Sequence, residues 1–208
     1  MLIFDLDDTI FQTNSMNPEI FESAISVLRD YYTTSESNVN LEELIARLWS
    51  HPVTVVFSKY NTPQDIVAQF YQAIASIDYS ELDIKTYDDY KEINSFLCPK
   101  ILVTTGFKEL QLAKIKALGI ESDFDSIYID DPRENPRQEK LDIFKTILKE
   151  SQKAPQEVWV IGDNPDSEIK AGNSLHMKTI QRKSATKEVS KDADHQIESF
   201  TELFDIVK

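Results

Sequence analysis

Asp5 and Asp7 stand one residue apart at the end of a short apolar run, Leu2 to Phe4, and Asp8 and Thr9 follow directly. If the chain stays extended through Leu6, both carboxylates leave on the same side and repel each other across a short gap. A hard divalent cation such as Mg²⁺ relieves that repulsion with oxygen ligands and brings in a phosphate as a further ligand. An Asp-rich turn capping a helix would use the same residues. A calcium loop fits poorly, because the glycine it needs after the third acidic position is missing. Three later apolar runs also end in polar side chains: Thr104 and Thr105, then Asp130 and Asp131, then Asp163 after Gly162. Helix capping accounts for any one of them, but four such ends gathered at one edge of a sheet would need a ligand to compensate their charge. Lys140, taken alone, reads as a solvated surface charge.

The elements that must position these residues follow from periodicity. Leu2 to Phe4 is too short for a helix and runs into carboxylates, so it reads as a buried strand ending at a charged loop. From Asn17 the pattern turns helical: Asn17-Pro18 starts one helix, Asn40 with Glu43 has capping-box spacing for a second, and Thr62-Pro63 opens a third. Residues 15–90 therefore form a block of amphipathic helices whose aromatic stripes, Phe70 and Tyr71 among them, belong to packing. From Tyr87 onward helix and strand alternate. Helices are expected over 88–97, 108–118, 138–150, 167–171 and 200–207, with strands at 100–106, 124–130, 158–163 and 177–180. Such alternation implies a parallel sheet covered by helices on both faces, and the ligand edge of an open parallel sheet is the carboxyl end of its strands.

Composition narrows the function. The 208 residues carry a formal net charge of -14 and 41% hydrophobic content, enough for a real core. That acidity argues against nucleic acid and anionic membrane surfaces as partners, and it suits a protein that recruits a cation. Cys98 is the single cysteine, which leaves no disulfide framework and points to a reducing compartment. No apolar run is long enough to span a membrane and the N-terminus lacks signal-peptide character, so a cytoplasmic, monomeric protein is expected.

Taken together, these residues resemble the haloacid dehalogenase superfamily of phosphohydrolases. Asp5-Leu-Asp-Asp-Thr9 is similar to its first motif, Val103-Thr104-Thr105-Gly106 to its second, Lys140 on a helix to its third, and Gly162-Asp163 with Glu168 to its fourth. The resemblance implies a Rossmann-like core domain over 1–14 and 91–208 and an inserted all-α cap domain over 15–90. It also implies a Mg²⁺-dependent phosphatase acting on a small phosphorylated metabolite. Asp5 would be the nucleophile that becomes an aspartyl phosphate, and Asp7 the general acid and base. Thr104, Thr105, Gly106 and Lys140 would bind the phosphoryl group, while Asp5, the Asp7 carbonyl and Asp163 would hold the metal. Leu141 follows Lys140 where the family often has proline, so Arg137 is an alternative source of the cation, and Asp166 is an alternative to Glu168. Asp7 favours phosphoryl chemistry over dehalogenation, because a halide leaving group needs no proton. A phosphomutase of the β-phosphoglucomutase type would share the first step, and a non-catalytic phosphate-binding module is a further class. Arg47, His51 and Lys59 are candidates for contact with a second charged group of the substrate.

Overall fold

The computed structural model describes residues 1–35 and 38–207. The chain begins with β1 (Leu2–Phe4) and passes through α1 (Glu22–Thr34), α2 (Leu41–Leu48), α3 (Val53–Lys59) and α4 (Gln64–Ala75). It continues with β2 (Lys100–Thr105), α5 (Lys108–Leu118), β3 (Ser126–Asp130), α6 (Lys140–Ser151) and β4 (Trp159–Gly162). The remaining elements are α7 (Lys170–Ser174), β5 (Lys178–Arg182), β6 (His195–Ile197) and α8 (Leu203–Ile206). Two compact units result, one from Met1–Thr13 with Ile84–Lys208 and the other from Asn14–Asp83.

The first unit is built on one sheet in the order β3-β2-β1-β4-β5-β6, and every pairing is parallel. β1 has apolar side chains on both faces, as a central parallel strand requires. On one face Phe4 meets the rings of Phe124 and Phe200 at 6.1 and 5.9 Å. On the other, Ile3, Ile101, Val103 and Val160 pack against Ile143, Phe144 and Ile147 of α6. β1 pairs with β2 on one side and β4 on the other, so the strand order reverses around it and the crevice for a ligand opens at its carboxyl end. There the Asp5 N–H donates to the Ile161 carbonyl at 2.9 Å, and Asp8, at φ 55°, turns the chain out of the sheet.

The helical unit has its own core of Leu28, Leu44, Val56, Phe57, Phe70 and Ile74, with Phe57 edge-on to Phe70 at 5.1 Å. Asn17 and Asn40 cap as their sequence positions imply, accepting from the N–H groups of Glu19 and Glu43. No helix of the described residues is long and apolar enough to cross a membrane.

Several boundaries differ from the sequence reading. That reading passed over α3, a seven-residue helix with no side-chain cap, and β6, whose three residues show no apolar alternation. Residues 88–97 hold a 3₁₀ helix at Tyr90–Ser95 in place of an α-helix. The stretch from 84 to 90 belongs with the sheet unit, not with the helical block: Ile84 is buried, Phe11 bridges Thr86, and the Tyr87 N–H donates to the Ile10 carbonyl at 2.9 Å. Residue 14 falls in the helical unit.

Candidate active site

Lys140 is the first residue of α6; it is 6% exposed, and its ammonium lies between two carboxylates. It donates to Asp5 Oδ1 at 2.6 Å and to Glu168 Oε2 at 2.8 Å. The other oxygen of Glu168 accepts from the Asn164 N–H at 2.6 Å, so both of its oxygens are occupied by protein donors. Glu168 reaches this place through the short π-helical turn Pro165–Ile169 and across Gly162. A Cβ at Gly162 would lie 2.3 Å from Glu168 Cγ, so this position has no room for any side chain. Asp163 completes the group: one oxygen each from Asp5, Asp163 and Glu168 lie within 4.8 Å of one another.

This cluster is short of positive charge. Burial pushes the Asp5 carboxyl up to about 7, with the Lys140 charge opposing the shift and Glu168 adding to it. Asp163 is pushed up to about 8 by burial and then by the charges of Glu168 and Asp5. Burial alone would lower the Lys140 ammonium, but the charges of Asp5 and Glu168 and its hydrogen bonds to both hold it above the ordinary lysine value. Lys140 engages only Oδ1 of Asp5, and Ser184 donates to only Oδ2 of Asp163, at 3.0 Å. Buried, like-charged oxygen donors around one gap suit a hard divalent cation.

Asp7 leaves β1 toward α5, apart from that cluster. Its Oδ1 accepts from Lys114 Nζ at 2.6 Å and its Oδ2 from Gln111 Nε2 at 2.8 Å. Thr104, at the end of β2, is fully buried, and its Oγ1 lies 2.5 Å from the same Gln111 nitrogen. Thr105 turns away and donates to Asp130 Oδ2 at 3.0 Å. The Gly106 N–H is taken by the Asp130 carbonyl at 3.0 Å and Lys140 lies on Asp5, so of the four residues expected to bind a phosphoryl group, Thr104 is the one whose side chain joins Asp7 through Gln111.

The sequence reading grouped the acidic end of β3 with the others, and the structure separates it. Arg137 donates to both oxygens of Asp130 at 2.5 and 2.8 Å, and Arg133 likewise embraces Asp131. Arginine compensates these carboxylates, which need no metal, and Arg137 sits on Asp130 while Lys140 is the cation at Asp5. Asp166 is exposed, whereas Glu168 is buried and shares the cluster with Asp5 and Asp163. In the helical unit Arg47 and Lys59 both pair with Glu43, at 2.9 and 3.5 Å, and His51 Nδ1 lies 2.8 Å from Ser50 Oγ.

Gln111, Lys114, Ser184 and Thr186 were not singled out in the sequence. Thr186 Oγ1 donates to Asp8 Oδ2 at 2.8 Å, beside the Ser184 bond to Asp163. Glutamine and lysine are common on helices, and only the burial of this pair, at 1% and 4% exposure, distinguishes it.

Residues 2–181 match the family of haloacid dehalogenase-like hydrolases. The chain belongs to that family. No curated protein matches it significantly in sequence. Among solved structures of similar fold, a haloacid dehalogenase-like family hydrolase from Streptococcus pneumoniae shares 18% identity, with 100% of this chain and 97% of that one covered, at a TM-score of 0.73. CbbY from Rhodobacter sphaeroides, in complex with xylulose-(1,5)-bisphosphate, shares 16% identity over 97% and 95% of the two chains, at 0.70. YfnB from Bacillus subtilis, bound to magnesium, shares 16% over 100% and 97%, at 0.61. The present chain is thus a haloacid dehalogenase-like hydrolase, and its Asp5, Lys140, Asp163 and Glu168 converge at the strand-order reversal of the sheet.

Proposed function

We propose that this enzyme is a Mg²⁺-dependent phosphatase that hydrolyses a small phosphorylated metabolite through an aspartyl phosphate at Asp5, with the Asn14–Asp83 unit as its cap. The observation that carries the reading is the buried set of Asp5, Asp163, Glu168 and Lys140, with Asp7 two residues beyond Asp5 and held apart by its own donors. That arrangement separates a nucleophile beside a cation from a second carboxylate free of the cluster. CbbY and YfnB, which share the fold, hold a sugar bisphosphate and magnesium in their structures, the ligand types proposed here.

In the first step an Asp5 oxygen attacks phosphorus and the bond from phosphorus to the ester oxygen breaks; Asp7 enters this step as the carboxylic acid, gives its proton to that oxygen and is left as the carboxylate. In the second, water gives a proton to Asp7 and its oxygen attacks the aspartyl phosphate. The Asp5 carboxylate then leaves and inorganic phosphate is released. Thr104 donates a hydrogen bond to the phosphoryl group in both steps, and Lys140 keeps Asp5 oriented and neutralises charge beside it. Asp5, Asp163 and the Asp7 carbonyl would hold Mg²⁺, with Glu168 adding charge next to them. Bound there, the ion supplies the positive charge that lets one anion approach another.

The function is tested by phosphate release from a panel of small phosphomonoesters with Mg²⁺ and with chelator. Release that requires Mg²⁺ is expected, and its absence from every ester with folded, Mg²⁺-loaded protein sinks the phosphatase reading. A sugar phosphate returned as its isomer in place of free phosphate would move the assignment to a phosphomutase.

Metal occupancy has a second readout. Asp5 and Asp163 are raised from an ordinary 3.8 to about 7 and about 8, so between those limits the folded, metal-free protein holds protons that the unfolded chain has lost. Stability then falls as pH rises through that window. In chelator, the thermal midpoint is expected to drop between about pH 5 and 8. Mg²⁺ should recover the loss, since ligand at a hundredfold its Kd adds about 2.7 kcal/mol, several degrees for a chain of this size. A midpoint at pH 8 that ignores Mg²⁺ would count against the metal site.

A further inference from the structure

Gln111 and Lys114 lie one turn apart on α5, so their side chains rise from the same helical face. Both are buried, at 1% and 4% exposure, in a helix whose other inward residues include Leu110 and Ile115. A buried lysine is costly unless its charge is met. Here Asp7 meets it at 2.6 Å, and the ammonium also lies 5.6 Å from the centre of the Phe11 ring. Gln111 takes the other Asp7 oxygen, so α5 grips both ends of one carboxylate.

The Gln111 amide does more than hold Asp7. Its nitrogen carries two hydrogens and has three oxygens around it: Asp7 Oδ2 at 2.8 Å, Thr104 Oγ1 at 2.5 Å and the Thr105 carbonyl at 3.1 Å. None of the three can donate to an amide nitrogen that has no acceptor capacity. Thr104 therefore stands in the position of an acceptor toward Gln111, and its own hydroxyl hydrogen is left to point elsewhere. Gly106 makes this geometry accessible: a Cβ there would lie 3.0 Å from Gln111 Cδ, tight against the amide. Among the described residues Gln111 Oε1 is buried without a hydrogen-bond partner, a cost accepted for placing the nitrogen.

We propose that Gln111 and Lys114 are positioning residues for proton transfer at Asp7, holding its carboxylate in register with the Thr104 hydroxyl. The proposal rests on the phosphatase reading above. In that reaction the proton that Asp7 gives to the departing oxygen matters when the leaving group is a poor one. An alkoxide must be protonated as the bond to phosphorus breaks, whereas a nitrophenolate carries the electron pair unaided. A residue that acts through Asp7 should therefore matter for alkyl esters and little for activated aryl esters. A residue that only supports the fold should affect both alike.

The test compares kcat/KM for p-nitrophenyl phosphate with kcat/KM for the best alkyl phosphate of the panel, since this constant counts only steps up to the first bond cleavage. For Gln111→Met, similar in size and without hydrogen bonds, the alkyl value is expected to fall about 10- to 100-fold, part of what general acid catalysis supplies. The aryl value should fall by less than about threefold. Lys114→Met should show the same selectivity, and Lys114→Arg should return part of the alkyl rate because it restores a hydrogen-bond donor to Asp7 Oδ1. Should Gln111→Met fail to fold, as read by its thermal melt, Gln111→Asn serves with the same selective loss expected. Equal losses on both esters, or no loss on either, overturn the positioning role while leaving the phosphatase assignment standing. Wild-type protein that hydrolyses neither ester overturns both.

Discussion

Phosphate release by the Asp5→Asn variant is expected to fall by on the order of 10⁴-fold or more at saturating substrate and Mg²⁺, with the fold preserved. Asparagine has nearly the same shape, and its Oδ1 can still accept the Lys140 bond that Asp5 Oδ1 accepts at 2.6 Å. What it lacks is the anionic oxygen that forms the bond to phosphorus, and no other carboxylate takes that place. Glu168 has both oxygens occupied by Lys140 and the Asn164 N–H, and Asp7 is held by Lys114 and Gln111. If Asp5 served only as a metal ligand, high Mg²⁺ would restore much of the rate. As nucleophile its loss is not rescued by metal. Acid-quenched wild-type protein should also carry a phosphoryl adduct by intact mass, labile at alkaline pH, that the variant never shows. Activity within tenfold of wild type, or full rescue by Mg²⁺, would remove Asp5 from the nucleophile's role.

Much of the architecture was legible because two periodicities differ so plainly. Strands buried on both faces, such as Trp159–Gly162 and Leu2–Phe4, read as uninterrupted apolar runs, and each ended in a polar residue where the sheet ends. Gly119, at φ 67°, stopped α5 where its sequence position indicated. The short elements were not legible: β6 gains its place from pairing with β5, a tertiary contact that three residues cannot announce. For the site, Asp5, Lys140 and Asp163 stood at strand ends or a helix start, where spacing reveals them. Charge alone misled at Asp130 and Asp131, since a sequence does not show that Arg137 and Arg133 fold back onto them. The different burial of Glu168 and Asp166 likewise follows from a π-helical turn, which rotates one acid inward and leaves the other in solvent.

That difference between a compensated and an uncompensated carboxylate sets the outcome at Lys140. Lys140→Met keeps the bulk of the side chain and removes the ammonium that lies between Asp5 and Glu168, at 2.6 and 2.8 Å. Breaking a buried ion pair from one side leaves the partner charge stranded, which costs roughly 3–5 kcal/mol. Arg137 cannot step in, because it is committed to Asp130. The metal-free variant should therefore melt well below wild type at pH 8. The deficit should shrink as pH falls, because Asp5, already raised to about 7 with the lysine present, then takes up a proton and no longer needs a counter-charge. Mg²⁺ should stabilise the variant at least as strongly as wild type, since the cation would meet a more negative cluster. Activity should nevertheless stay about 10²- to 10³-fold down with Mg²⁺ saturating, as expected when a preorganised charge is removed from the reacting centre. A variant that melts like wild type in chelator at pH 8 would mean that Asp5 and Glu168 do not carry their charges there. The electrostatic account of the site, and with it the case for a resident cation, would then have to be given up.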